Sequence, residues 1–358
     1  MKNILFFLIF TVAIFSCKKD KPEPAPTIPN SANALITFSI PGQLSSVISP
    51  GAHTVVITMP FGVKLDSLVA ANFTIPSGAT IKIGTIPQTS DVTLNNFISP
   101  ITYTITAENG TAIQDWTITA DYETYSYLLE DFPTTNESFY MQIDSTNLQG
   151  YSLGTPGKGK VWNFLGLGIE ATDTLDFLSP SAHPAGSQFP NSNIVIKDHS
   201  SSFDMFATLS TTKSELIGMY GSVNGMLISI PTTNRLTNLI FPSEFGVNFT
   251  DDGALQKDTT VTIPPIPIPV AVSLQVDINT VSNIDANGIV NTPIGTFKCI
   301  REYNVQTRHT QVLVAGSPYI NQYETTRTYN YFNKEKGYPV LIVEVDSIGN
   351  IKKIKHQK

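Results

Sequence analysis

Residues 103–120 read YTITAENGTAIQDWTITA, and this stretch decides the fold class. Tyr103, Ile105 and Ala107 point one way, while Thr102, Thr104 and Thr106 point the other. After the Glu108-Asn109-Gly110 interruption, Trp116, Ile118 and Ala120 alternate with Thr117 and Thr119. Period-two alternation rich in β-branched residues is the pattern of a half-buried strand. Asn-Gly supplies positive φ at a tight turn, so the two runs predict a hairpin. The stretch ENGTAIQ leaves the loop length and register open. Trp116 has the size to anchor a core.

Upstream, ALITFSI, HTVVITM, ATIKIG and NNFISPITYTI add short strands separated by Pro and Gly, a spacing that suggests a β-sandwich. The hairpin pattern resembles the closing hairpin of Ig-like and cadherin-like sandwich domains in Bacteroidetes surface lipoproteins. That resemblance covers residues 33–121, carries no catalytic residues, and implies a spacer.

The chain has 358 residues, enough for two or three domains. It is low in charge, rich in Thr, Ser, Pro and Gly, and carries a net charge of −7. That profile suits an extracytoplasmic β-protein. No basic stripe with interleaved aromatics occurs, so nucleic acid is not an expected partner. Of the two cysteines, Cys17 lies in the targeting segment and Cys299 stands alone in the body of the chain. No intramolecular disulfide is expected, and Cys299 reads as a small core residue.

The front end, MKNILFFLIFTVAIFSCKKD, has a basic residue, then an apolar run from Ile4 to Phe15, then Ser16-Cys17. The run is too short to span a bilayer of roughly 30 Å as a helix, and it fits a secretory h-region. IFSC resembles the looser lipobox of Bacteroidetes lipoproteins. The resemblance implies a signal peptide over residues 1–16, cleavage before Cys17, and acylation of Cys17 with several acyl tails, enough for stable anchoring in the outer membrane. The alternative is an ordinary signal peptide. Residues 17–32, with KKDKPEPAPTIPN, read as an extended Pro-rich tether. Surface-exported relatives carry acidic residues after the Cys; here Lys18 and Lys19 precede Asp20, which leaves the membrane face, periplasmic or cell-surface, open.

Residues 122–358 read as a larger antiparallel β-rich domain, so the chain is expected to be all-β. Short alternating runs (KVWNFLGL, ATDTLDFLSP, SNIVIKD, SFDMFATLS, SELIGMYGSV, GMLISIP) end at Gly, Pro or Ser. A single helical turn is expected around FPSEFGVNF. Prolines from Pro264 to Pro269 bar a central strand there. GTFKCIREYNVQTRHTQVLV, NQYETTRTYNYFN, GYPVLIVEVDS and GNIKKIKHQ form a long-stranded meander. Its ending resembles the C-terminal pattern of secreted Bacteroidetes proteins of uncharacterised function, which implies a shared fold and no particular activity. Curved antiparallel sheets of this kind can hold an apolar ligand.

Motifs for chemistry are scarce. Gly157-Lys158-Gly159-Lys160-Val161 lacks the Ser/Thr of a phosphate-binding loop and reads as a loop before a strand. His53, His183, His199, His309 and His356 show no metal-ligand spacing, although His183 and His199 flank one loop near Asp198. No nucleophile elbow occurs. Asp173, Asp176, Glu130 and Asp131 are the candidates for a glycosidase pair. Asp251-Asp252-Gly253 and Asp285-Ala286-Asn287-Gly288 resemble fragments of calcium loops but lack the full spacing, so turns are expected. No cofactor and no metal are implied. Asp-Ser/Thr tripeptides at Ser67, Ser145, Thr174, Thr259 and Ser347 resemble the O-glycosylation acceptor of Bacteroidetes exported proteins.

The reading is a lipid-anchored envelope protein with a binding or structural role, its ligand a glycan, a peptide or an apolar molecule. Tyr323, Tyr329, Tyr331 and Tyr338 are the candidate stacking residues for sugars. An envelope hydrolase with a loop-built site is the alternative, and a purely structural component is a third class.

Overall fold

The computed structural model describes residues 29–223, 226–262 and 269–358. The signal segment, Cys17 and the prolines at 264, 265 and 267 lie outside these residues. The N-terminal part contributes β1 (Thr37–Ser39), β2 (Ser45–Ser49), β3 (Thr54–Met59), β4 (Leu68–Ala70), β5 (Asn72–Thr74), β6 (Thr80–Ile83), β7 (Ile86–Pro87), β8 (Leu94–Asn96), β9 (Ile101–Thr106) and β10 (Ile113–Tyr122). The rest contributes β11 (Ser126–Tyr127), β12 (Glu137–Asp144), β13 (Gly157–Asn163), β14 (Ala171–Leu178), β15 (Ile194–Asp198), β16 (Phe203–Leu209), β17 (Lys213–Val223), β18 (Met226–Ile240), β19 (Ser243–Glu244) and β20 (Asn248–Thr262). It continues with β21 (Pro269–Thr292), β22 (Gly295–Val314), β23 (Ser317–Phe332), β24 (Leu341–Val345) and β25 (Ile351–Gln357). Among the described residues the helical elements are one-turn 3-10 segments, and the protein is all-β.

The expected hairpin is β9–β10, with Trp116 opposite Tyr103 and Ile113 opposite Thr106. The loop runs from Ala107 to Ala112 and closes on an Ala107 N–H to Ala112 carbonyl bond of 2.9 Å. Gly110 takes φ +71° there, a conformation Gly adopts without steric cost. The hairpin sits in a six-stranded sheet ordered β2-β3-β10-β9-β6-β7, in which β3 and β10 run parallel. Two small sheets, β1-β5 and β4-β8, complete this part. Tyr103, Ile105, Trp116 and Ile118 from the large sheet pack with Phe38, Val69 and Phe73 from the small ones in one core. The Trp116 indole N–H reaches the Asn33 carbonyl, so its polar edge is satisfied within the core.

The C-terminal part is a closed ring. From β21 the hydrogen-bonded order runs β20-β18-β17-β16-β15-β14-β12-β25-β24-β23-β22, and β22 pairs back to β21. Closure removes free sheet edges. β13 branches from the ring and pairs in parallel with the second half of β21. β13 also begins at Gly157, so the Gly-Lys repeat read as a loop is strand. Around residues 241–249, β19 pairs with β11 instead of forming a helical turn. Asp251 to Gly253 lie within β20 and Asp285 to Gly288 within β21, so these stretches are strand and not turn.

The period-two pattern decides which side chains face the lumen. Met205, Leu216, Met219, Ile230, Leu255 and Ile278 share one apolar inner cluster. The outer face is covered in two places. Leu148, Trp162 and Phe164, from the segment carrying β13, pack on Tyr331, Leu341 and Val343. Ala185 and Phe189 pack on Phe206 and Ile217. The two parts of the chain meet through Glu123, which accepts from the Phe61 backbone N–H (3.2 Å) and from Lys298 Nζ (2.8 Å).

Candidate functional site

Tyr323, Tyr329 and Tyr331 carry odd numbers on one strand and therefore share its outer face. What covers that face differs along β23. At Tyr323 nothing does: the side chain is 69% exposed. Its ring lies flat on His309, with centroids 4.0 Å apart and an interplanar angle of 1°. Asp277, His309 and Tyr323 are successive cross-strand partners, and Asn279, Thr307 and Thr325 form the neighbouring row. Asn279 Nδ2 donates to Asp252 Oδ1 at 2.7 Å, and His309 Nε2 lies 2.7 Å from Asn321 Oδ1. Asn234, Asp252, Asp277, Asn279, Thr307, His309 and Tyr323 line a groove of about 380 Å³. An open aromatic face bordered by carboxylates and amides offers stacking for a sugar ring and partners for its hydroxyls.

Further along, Tyr329 stacks on Tyr303 at 4.7 Å and lines an open depression of about 990 Å³ with Tyr151, Asn147, Gln149 and Asn350. Beneath it lies Arg301, 1% exposed. Arg301 donates from Nε and Nη2 to the two oxygens of Asp285 at 2.8 and 2.9 Å, and from Nη1 to the Leu153 carbonyl. Its guanidinium sits 5.2 Å from the Trp162 ring and 4.9 Å from the Tyr329 ring. Burial works against the charge on Arg301; the hydrogen bond and charge of Asp285 outweigh it and raise its pKa.

Tyr331 is 0% exposed and meets the Trp162 ring edge-on at 5.1 Å. The β13 segment buries it, which corrects its assignment as an outward stacking residue. Tyr338 lies outside the strand, against Phe139 and Phe177, and lines the barrel lumen instead of the outer groove. The four tyrosines therefore occupy four different environments, and Tyr323 alone presents a largely exposed ring.

The lumen contains a cavity of about 350 Å³. Phe177, Ile196, Met205 and Leu239 line it from β14, β15, β16 and β18, with Ser214 and Asn238 near Leu239; Glu302, Asn304, Gln306 and Asn330 line it from β22 and β23, and Ile342 is the cross-strand neighbour of Asn330. Glu302 is 2% exposed and accepts from Ser282 Oγ at 2.6 Å and Asn330 Nδ2 at 2.7 Å. Burial pushes its carboxyl above the usual range, against the pull of these bonds.

Asp173 and Asp176 lie beside a common depression with His199 and Ser200. Asp173 accepts from Lys355 Nζ at 2.9 Å and Asp176 lies 2.7 Å from His199 Nε2. For Asp173, burial acts upward but the bonds from Lys355 and Ser200 win; for Asp176, the bonds from Ser138 and His199 lead. Both carboxyls are held low, the reverse of what a general acid requires. Glu130 and Asp131 sit apart in a 3-10 turn, where Asp131 caps the Leu128 N–H at 2.8 Å. His183 pairs with Asp204 at 2.9 Å between Phe206 and Tyr220, so it and His199 are not brought together. Among the described residues no group of three His, Cys, Asp or Glu side chains is placed to hold a metal. Of the acceptor tripeptides, Ser67, Ser145 and Ser347 are exposed outside strands, while Thr174 and Thr259 are half-buried within β14 and β20. Sequence reasoning missed Asp277, Asn279 and His309; their signal was the polar alternate positions in DINTVSN and QTRHTQ.

Residues 35–120 match the family described as SGBP, N-terminal. No curated protein matches the chain. Solved structures that align with it include a candidate glycoside hydrolase of Bacteroides thetaiotaomicron, at 17% identity over 92% of this chain and 90% of that one, with a TM-score of 0.22. Another is a candidate exported protein with a YmcC-like fold from Bacteroides fragilis, at 9% identity over 65% of this chain and 98% of that one, with a TM-score of 0.24. At these scores neither likeness bears on fold or function.

Proposed function

We propose that this chain is a cell-envelope glycan-binding protein, held to the outer membrane by lipid on Cys17 and contacting glycan through the groove around Tyr323. The match of residues 35–120 to a surface glycan-binding protein family carries the reading. The groove supports its placement in the C-terminal domain. There Tyr323, 69% exposed, lines a groove with Asp277, Asn279 and Asp252. Residues 17–32 act as the tether, residues 33–121 as the spacer, and residues 122–358 as the binding domain. Ser67, Ser145 and Ser347 stand where an enzyme adding O-glycans would reach them; Thr174 and Thr259 would need local opening.

The test is a glycan array probed with wild type, Tyr323→Ala and Asp277→Asn. Retained glycan signal in both variants, with unchanged circular dichroism, rules out this groove. Absence of signal for wild type on a broad array rules out the glycan reading. The anchor is checked separately by palmitate labelling of wild type and Cys17→Ser in a Bacteroidetes host.

A further inference from the structure

The barrel lumen has two chemically distinct walls and no part in the outer groove. One wall is apolar: Phe177, Ile196 and Met205 are successive cross-strand partners facing the cavity. The other wall carries amides, with Asn304, Gln306 and Asn330 grouped about the buried Glu302. Met219, Ile228, Leu274 and Val276 continue the apolar wall and are only partly buried, so the inner surface opens to solvent beyond the cavity. Mouths of β-barrels are a common location for ligand pockets, and about 300 Å³ is the lower end of their size.

We propose that the lumen binds a small neutral amphiphile, its aliphatic tail against Ile196 and Met205 and its uncharged, hydroxyl- or amide-bearing head against Asn304, Gln306 and Asn330. The apolar wall excludes a wholly polar occupant such as a free sugar, since burying hydroxyls against it without partners is unfavourable. A carboxylate head is excluded because no cation lines the cavity to offset the burial of its charge. A cationic head would require an ionised partner, and burial holds Glu302 toward its neutral form. Amides both donate and accept, which fits a neutral head.

The experiment is calorimetric titration of the full chain carrying Cys17→Ser, so that no acyl group of its own competes. The probe is monodecanoylglycerol below its micellar concentration, compared with decanoate and decylamine. Saturable one-to-one binding is expected, with the two charged analogues at least about tenfold weaker. Met205→Trp and Ile342→Phe fill the cavity from two sides and are each expected to weaken the probe about tenfold or more. Tyr323→Ala should leave it unchanged, which separates this site from the glycan groove. No saturable binding to the Cys17→Ser chain overturns the proposal. So does unchanged affinity in whichever filled variant keeps the parent circular dichroism, or a charged analogue that binds as well as the neutral one.

Discussion

Arg301→Met isolates the buried ion pair beneath the Tyr329 depression. The arginine is 1% exposed and Asp285 8%, and the two share a two-bond contact. Methionine keeps much of the aliphatic stem but leaves the Asp285 carboxylate buried without its cation. Removing one partner of such a pair costs about 3–5 kcal/mol. The guanidinium also loses contacts with Trp162 and Tyr329, each worth about 0.5–2 kcal/mol, partly replaced by the thioether. With a urea dependence of about 1–3 kcal/mol per molar, the unfolding midpoint should fall by more than about 1 M. The chain has two tryptophans. Trp116→Phe as a common background leaves Trp162, adjacent to the pair, as the fluorescent reporter. Arg301→Met with Asp285→Leu should recover most of the loss, because no charge remains buried. A single variant within about 0.3 M of its parent, on the same scale, refutes the claim that the pair holds this region. Failure of the double variant to recover shows instead that side-chain shape sets the cost.

Other outcomes follow from single residues. Trp116→Ala should destabilise the N-terminal part by about 3–5 kcal/mol, read from its own unfolding transition. Glu302 has a folded-state pKa above its ordinary value of 4.5. Its stabilising contribution is therefore present below that ordinary value and lost as pH rises through the raised one. Glu302→Gln should consequently gain urea resistance relative to wild type at pH about 8 and not at pH about 4; an equal difference at both refutes the assignment. Cys299 is fully buried and desolvation pushes its thiol up, so an aromatic disulfide reagent should fail to label it until the chain unfolds. A Cβ at Gly288 would lie 2.0 Å from the Lys160 carbonyl oxygen. Gly288→Ala should therefore break the β13–β21 pairing at a cost of about 3 kcal/mol, seen as lost protection of the β13 amides in hydrogen exchange.

The local part of this fold was legible because its signals are local. Alternation at Tyr103–Ala107 and Trp116–Ala120, with Asn-Gly between, fixes two strands and their inner faces. The long C-terminal meander was read for the same reason. Ring closure was not, since β12 meets β25 from the opposite end of the domain's sequence and no turn residue announces that pairing. The tyrosines show the same limit. Numbering alone puts Tyr323, Tyr329 and Tyr331 on one face; only the distant Leu148–Phe164 segment decides which ring is covered. The pairing of Arg301 with Asp285, which the sequence places in a turn, was not legible for the same reason, since each is a buried charge only with β13 laid over it.

The strand Ile351–Gln357 sits between β12 and β24 and pairs with both. A chain made from its N-terminus therefore keeps its sheet open until those seven residues arrive. A premature stop just before them would leave two unpaired borders facing solvent, each a template for strands of other copies. Such a chain would seed aggregation, which makes Ile351–Gln357 the poorest location for a truncation.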